Sequence, residues 1–286
     1  MNYINFSKLQ GAGNDYIAID GRGLDLDFGD LSKQMSEAHF GVFSDGLVVV
    51  GESEKAHVKM RVFNPDGSEA EMSGNGIRLF TKFVIDNDIV QPDQTGLKVQ
   101  TLVGIRTVIP KIKQGKMISG KVTMGYPKFS GSEIPVSPDY SSGDAKVVDY
   151  LLDLGEESIR ISCVNIGNPH AVLITDIPLD QFDLQRIGPL VEKHNMFPNR
   201  INFEIVNVIS DTVVKARIFE RGVGETLSSG TGSSACAIIC MNHNLVENKI
   251  KVQVPGGSLY VSWDKEKEVY LEGPTVEVFT GKWPME

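Results

Sequence analysis

Apolar and polar positions alternate from His57 to Phe63, with Val58, Met60 and Val62 on one side, as in a strand with one buried face. Tyr3–Leu9 and Tyr16–Asp20 read as strands around a tight loop, Gly11–Asp15, and Leu47–Val50 is a short apolar strand after a Gly41–Gly46 loop. Asp30–His39 reads as a helix with Asp30 as its cap. Asn64-Pro65-Asp66-Gly67 is a turn. The helix predicted over Gly76–Asp86 has apolar residues at 77, 79, 80, 83 and 84, a spacing that suits a largely buried helix.

This pattern occurs twice. Val58-Lys59-Met60-Arg61-Val62-Phe63 corresponds to Val214-Lys215-Ala216-Arg217-Ile218-Phe219. At the same constant offset Glu69 matches Glu225, Ser73 matches Ser229 and Gly76 matches Gly232. Two echoes fall close to that offset. Leu97–Gly104 resembles Ile250–Gly257, and Gly13-Asn14-Asp15-Tyr16 resembles Gly167-Asn168-Pro169-His170. The repeated unit is therefore a Gly-Asn loop, strands, a serine loop, a helix and further strands. The fold class this predicts is α+β, in two pseudo-symmetric domains, each a strand-rich sheet or roll around a central helix. Pro127–Asp149, rich in Ser, Pro and Gly, is the expected crossing between the halves.

A length of 286 residues fits two domains of ordinary size, and the net charge of −9 argues against a nucleic-acid binder. Lys265-Glu266-Lys267-Glu268 alternates in sign and reads as a solvated turn. No apolar run approaches the ~20 residues of a membrane span, and Met1–Gln10 does not read as a secretory signal. Three cysteines, Cys163, Cys236 and Cys240, fit no complete disulfide set, which points to a reduced, cytoplasmic setting. Cys236 and Cys240 lie one turn apart on a predicted helix. Buried packing is favoured over a metal site, because no second Cys/His pair has ligand spacing.

The chemistry is expected in the two serine loops, Met72-Ser73-Gly74-Asn75-Gly76 and Ser228-Ser229-Gly230-Thr231-Gly232. Glycines ahead of a helix let backbone N–H groups point at a ligand, and the helix dipole adds about half a positive charge there. Two matched loops facing each other across a cleft could hold one small carboxylate; the plain alternative is that the glycines only make tight helix entries. Neither loop has the lysine of a P-loop or the first glycine of a nucleophile elbow, and Gly222-Val223-Gly224 does not complete a dinucleotide fingerprint.

Seven segments, in order, resemble the diaminopimelate epimerase family: Gly13–Tyr16, Phe63–Glu69, Gly74–Arg78, Gly167–His170, Phe197–Asn202, Glu220–Thr226 and Gly230–Gly232. The resemblance covers nearly the whole chain. It implies a pyridoxal-phosphate-independent isomerase with no cofactor. Such an enzyme inverts one α-carbon of LL-diaminopimelate to the meso form, a precursor of lysine and peptidoglycan. It implies halves at 1–127 plus 275–286 and 128–274, with Thr275–Glu286 returning to the first half as a strand. By the same resemblance Asn14, Asn64, Asn168, Asn202, Glu220 and Arg221 surround the substrate. Gly74, Asn75, Gly230 and Thr231 supply donors to the reacting carboxylate, and His170 lines the site. Taken singly, the asparagines could be turn residues, Glu220 and Arg221 a surface charge pair, and His170 a satisfied core histidine. A homodimer is open, although no stretch identifies an interface.

Inversion requires two acid/base groups on opposite faces of a planar intermediate. The family's two cysteines correspond here to Ser73 and Ser229, and serine is far too weak an acid to stand as a free base near neutral pH. One explanation is an engineered double Cys→Ser variant that binds without turnover; the other is natural divergence. Leu79 and Ser228, where the resemblance leads one to expect Cys and Ala, favour divergence. Gly46 stands where the family often has glutamine. A non-catalytic amino acid-binding homologue, or a racemase or dehydratase acting on another amino acid, are the alternatives.

Overall fold

β1 (Asn2–Gly11) and β2 (Asn14–Asp20) form an antiparallel hairpin that turns through Ala12 and Gly13 alone. Both have positive φ, 55° and 85°, as a two-residue type I′ turn demands, so the loop is shorter than expected and Asn14 already belongs to the strand. The computed structural model describes residues 2–141 and 143–285. Met1, Ser142 and Glu286, which fall in the predicted ranges, lie outside the described residues.

The chain divides into two compact units, Met1–Thr123 with Glu272–Glu286, and Met124–Leu271. In the first, α1 (Phe28–Ser36), β3 (Leu47–Gly51), β4 (Val58–Phe63), β5 (Glu69–Ala70), α2 (Gly74–Asp86), β6 (Leu97–Thr101), β7 (Gly104–Lys113) and β8 (Lys116–Gly125) follow the hairpin. The sheet order is the C-terminal strand (Val276–Met285), β1, β2, β3, β4, β6, β7, β8, with β5 also on β4. The pairs β2–β3 and β4–β6 are parallel and the others antiparallel.

The second unit contains β9 (Tyr150–Asp153), β10 (Ser158–Asn165), β11 (Pro169–Ile174), α3 (Leu184–Glu192), β12 (Asn202–Ser210), β13 (Val213–Glu220), β14 (Gly224–Thr226), α4 (Gly230–Asn242), β15 (Lys249–Val254) and β16 (Gly257–Ser262). Strands β10 to β16 repeat the alternation of β1 to β7: β11–β12 and β13–β15 are parallel, and β14 folds back on β13 as β5 does on β4. The duplication read from residue identities is thus a duplication of strand pairing. The division between units falls inside β8, just before the Ser/Pro/Gly-rich segment.

Helices cover both faces of each central sheet, which explains the unbroken apolar runs of β2 and β3. Ile17, Ile19, Leu47 and Val49 cluster with Phe28, Leu31 and Met35 of α1. Their neighbours Ala18, Val48 and Val50 alternate to the other face, where α2 packs. In the second unit Leu184, Ile187 and Val191 of α3 cover Cys163, Ala171 and Phe203, while α4 packs on β10 to β13. Cys236 and Cys240 lie inside α4 with no exposed surface. Among the described residues no helix is long and apolar enough to cross a membrane.

Helix α1 corrects one expectation. Its cap is Asp27, whose carboxylate accepts the Asp30 N–H, and Asp30 lies in the first turn. The buried period starts at Phe28, three residues earlier than predicted. The helix cannot reach His39, which has φ 71°. Helix α3 is concealed by Gly188-Pro189 within it, a pair that ordinarily punctuates chains. Gly188 is there because a Cβ would sit 2.5 Å from the Phe219 ring.

Helix α2 carries a buried ion pair, Lys82 Nζ to Asp86 Oδ2 at 2.7 Å, with both side chains less than a tenth exposed. Lys82 also donates to Met117 O, and Asp86 Oδ1 accepts the Met117 N–H, so the pair ties α2 to β8. Asp86→Ala strands the ammonium and is expected to cost about 3–5 kcal/mol in urea unfolding. Lys82→Met added to Asp86→Ala should recover part of that loss; a double variant less stable than the single would contradict the assignment.

Candidate active site

Each central helix opens on a serine, and the two are capped alike. Ser73 is extended (φ −130°, ψ 123°) and its hydroxyl accepts the Gly76 N–H at 2.9 Å. Ser229 is extended (φ −127°, ψ 130°) and accepts the Gly232 N–H at 3.3 Å. In both the side chain satisfies one first-turn donor, while the N–H groups before it have no partner within the helix. Ser229 also lies 3.4 Å from the Thr231 hydroxyl. The approach to each serine is built alike too. Arg61 grips Glu69 with two bonds, 2.8 and 2.9 Å, and Arg217 grips Glu225 with two, 2.7 and 2.9 Å, fixing β5 and β14 ahead of their loops.

Behind the loops the units differ. In the first, Arg78 is wholly buried and holds the Ser73 loop from below, donating to Gly74 O at 2.7 Å and to Asn75 Oδ1 at 2.6 Å. Burial lowers its pKa to about 10, which still leaves it charged at neutral pH and so adds a positive charge beneath the helix end. Asn14 donates to Asp45 Oδ2 at 2.6 Å, and Asp45 also accepts the Asp15 N–H. Desolvation raises the Asp45 pKa, aided by the neighbouring Asp15 carboxylate. Asn64 donates to Ser68 Oγ within its own turn. Tyr16, two residues beyond Asn14 on β2, donates its hydroxyl to Ser73 Oγ at 3.1 Å.

In the second unit the support is an acid–histidine pair. His170 is buried, with Nδ1 2.7 Å from Glu204 Oε1 and Nε2 2.9 Å from Asn168 Oδ1. Glu204 lies under the start of α4: a Cβ on Gly232 would be 2.9 Å from its Oε1. Burial raises the Glu204 pKa, while His170 works to lower it. Asn202 donates to Pro169 O and accepts the Arg221 N–H at 2.9 Å. Arg221 commits one guanidinium N–H to Asn199 O, and Glu220 accepts the Thr226 hydroxyl at 2.7 Å. Asn168, His170, Asn202 and Arg221 are thus joined around the ends of three adjacent strands, β11, β12 and β13, with Glu204 beside Gly232 in the loop of Gly230 and Thr231. Sequence reasoning missed Glu204; the signal was a lone acid in the apolar run Phe203–Val206. Tyr16 lay in a recognised motif, with its hydroxyl given no role.

With this geometry in view, comparison with known proteins is decisive. The diaminopimelate epimerase family pattern matches residues 6–130 and 162–278. The chain belongs to the diaminopimelate epimerase family. A diaminopimelate epimerase of Desulfovibrio desulfuricans is 40% identical over 285 residues, 98% of each chain. One from Methanococcus maripaludis is 40% identical over 281 residues, 98% of this chain and 99% of the relative. Solved structures share the fold at low identity. A probable proline racemase from Agrobacterium radiobacter has TM-score 0.71 at 11% identity, covering 99% of this chain and 93% of that one. A Bacillus anthracis protein of the phenazine biosynthesis PhzF family has TM-score 0.68 at 16% identity, covering all of both chains. The α+β expectation and the family resemblance are both upheld.

The raised pKa of Glu204 makes a measurable prediction. The folded protein holds this proton more tightly than the unfolded chain. The stability it contributes is therefore complete below about pH 4.3, the ordinary glutamate value, and is lost as pH rises through the raised folded value. Glu204→Gln should remove that limb, so that its stability relative to the parent improves as pH rises. Urea midpoints measured across the range would show this; a gap between variant and parent that is constant with pH would contradict it.

Proposed function

We propose that this chain is a diaminopimelate epimerase-type isomerase that inverts one α-carbon of LL-diaminopimelate to the meso form. Ser73 and Ser229 occupy the two proton-transfer positions, with hydroxyl in place of thiol. The observation that carries this reading is the matched capping of α2 and α4 by these two serines, in a chain related to epimerases from end to end. First-turn N–H groups at Gly74, Asn75, Gly230 and Thr231 would stabilise negative charge growing on the α-carboxylate as the carbanion forms. Asn14, Asn64, Asn168, Asn202, Glu220 and Arg221 surround the substrate in this reading, with the asparagines and Arg221 at its distal amino acid end. Arg221 suits its carboxylate, since a guanidinium can grip that group with two bonds. The cytoplasm is the proposed setting, with a free amino acid as substrate.

The hydroxyls impair turnover in this reading. A thiol has an ordinary pKa near 8.5, within reach of neutrality at a helix N-terminus. Serine lies far above that. No other cysteine can substitute. Cys163 and Cys236 are fully buried, with pKa values pushed up by desolvation, and burial pushes Cys240 up to about 12.

Diaminopimelate should therefore raise the melting temperature of the protein, while solvent deuterium enters Cα slowly. Ser73→Cys combined with Ser229→Cys should raise the exchange rate by about 100-fold or more, the scale of a positioned acid/base. Binding with no exchange even after both thiols are restored would identify an amino acid-binding protein instead. Stabilisation by other amino acids but not diaminopimelate would reassign the substrate.

A further inference from the structure

Ser73 is wired differently from Ser229. Its oxygen accepts two hydrogen bonds, from the Gly76 N–H at 2.9 Å and the Tyr16 O–H at 3.1 Å. A hydroxyl oxygen has two lone pairs. Both are occupied, so the group that Ser73 can offer a ligand is its own proton. Ser229 lies against another aliphatic hydroxyl, Thr231, which is no better an acid than itself.

Tyr16 sits in a fitted slot. Its ring is largely buried and packs between two glycines. A Cβ on Gly76 would lie 3.5 Å from Cζ, and a Cβ on Gly46 would lie 3.0 Å from Cε1. At Gly46 a Cβ would also meet Phe63 O at 2.4 Å, and φ there is +154°. A glutamine side chain is thereby excluded from position 46 in this backbone. The tyrosine ring occupies the space above that glycine, and its hydroxyl reaches the catalytic position.

We propose that Tyr16 is the positioning residue and proton relay of the first unit, supplying through the Ser73 hydroxyl the acidity that serine lacks. This rests on the proton-transfer role proposed above for Ser73. In the acid direction the Ser73 O–H breaks as the Cα–H bond forms, and the Tyr16 O–H breaks as a new Ser73 O–H forms. The carbanion's negative charge ends on the phenolate oxygen, and serine is regenerated in the same step. Reversal returns the proton from Cα to serine and from serine to phenolate; solvent exchanges the phenol proton. A phenol is intrinsically a far stronger acid than an aliphatic hydroxyl, so the relay lends the position acidity that serine lacks. Gly46 is the companion of Tyr16 in this arrangement, since its missing side chain admits the ring.

The test compares Tyr16→Phe with the parent chain by deuterium incorporation at Cα of diaminopimelate as a function of pH, with ligand-induced thermal shift measured in parallel. The expected result is an unchanged thermal shift, exchange reduced by roughly 100-fold, and loss of the phenol limb from the pH–rate profile. In a Ser73→Cys background, where the thiol carries its own acidity, Tyr16→Phe should cost less than about threefold, well below a positioned acid's contribution. Equal losses in both backgrounds would mark Tyr16 as merely structural and overturn the relay. Unchanged exchange in Tyr16→Phe would overturn it too. A parent chain that binds diaminopimelate but exchanges nothing at any pH would overturn the relay and leave the binding reading standing. A parent chain that shows no diaminopimelate-induced shift would overturn the proposed substrate itself, and the relay with it.

Discussion

A buried helix has to dispose of the N–H groups of its first turn, and in this protein that requirement is met twice by one serine at the same register. Helices α2 and α4 are covered almost along their whole length, so side chains must supply partners at their ends. A serine in extended conformation turns its hydroxyl onto the third residue, and glycine at that residue keeps the space clear. At Gly76 a Cβ would press on the Ser73 side chain, at 3.0 Å from its Cβ. At Gly232 it would press on Glu204 and Ile218. The remaining first-turn N–H groups have no partner within the helix, and a helix end of this kind is suited to an anion.

The two units solve the electrostatics of that end with opposite means. Arg78 puts a buried cation beneath one loop, and the His170–Glu204 pair puts a titratable acid beneath the other. Both arrangements leave a polar atom without a partner among the described residues, Arg78 Nε and Glu204 Oε2. Such orphans cost on the order of 1–3 kcal/mol each. That these lie under the serine loops fits a site where stability is traded for chemistry. The pseudo-symmetry of the backbone therefore does not extend to the charges, and the surroundings of the two serines are not equivalent.

Much of this was legible in the chain. Strands such as Val58–Phe63 alternate cleanly because one face is packed, and the repeated Ser-Gly-x-Gly marks the two helix starts. Local ambiguity hid other features. Asp27 and Asp30 are equally good caps, and only the burial of Phe28 decides between them. Gly188-Pro189 reads as a break because its cause, the Phe219 ring, lies on a distant strand. Long-range geometry hid the rest. The role of Glu204 depends on a histidine 34 positions away, and the reach of the Tyr16 hydroxyl depends on the bare backbone at Gly46.

The pairing of β1 with the strand Val276–Met285 bears on how the protein is made. β1 has as its edge partner a strand about 270 residues further along the chain. At ~5–20 residues per second, tens of seconds separate the two. Met124–Leu271 is a contiguous segment and can complete its sheet while the chain is still attached. The first unit must keep β1 unpaired on that side until the later strand has emerged. During this interval its edge is open to other chains, so the vulnerable period of the molecule lies in its synthesis and is set by the stretch of chain that separates the two strands.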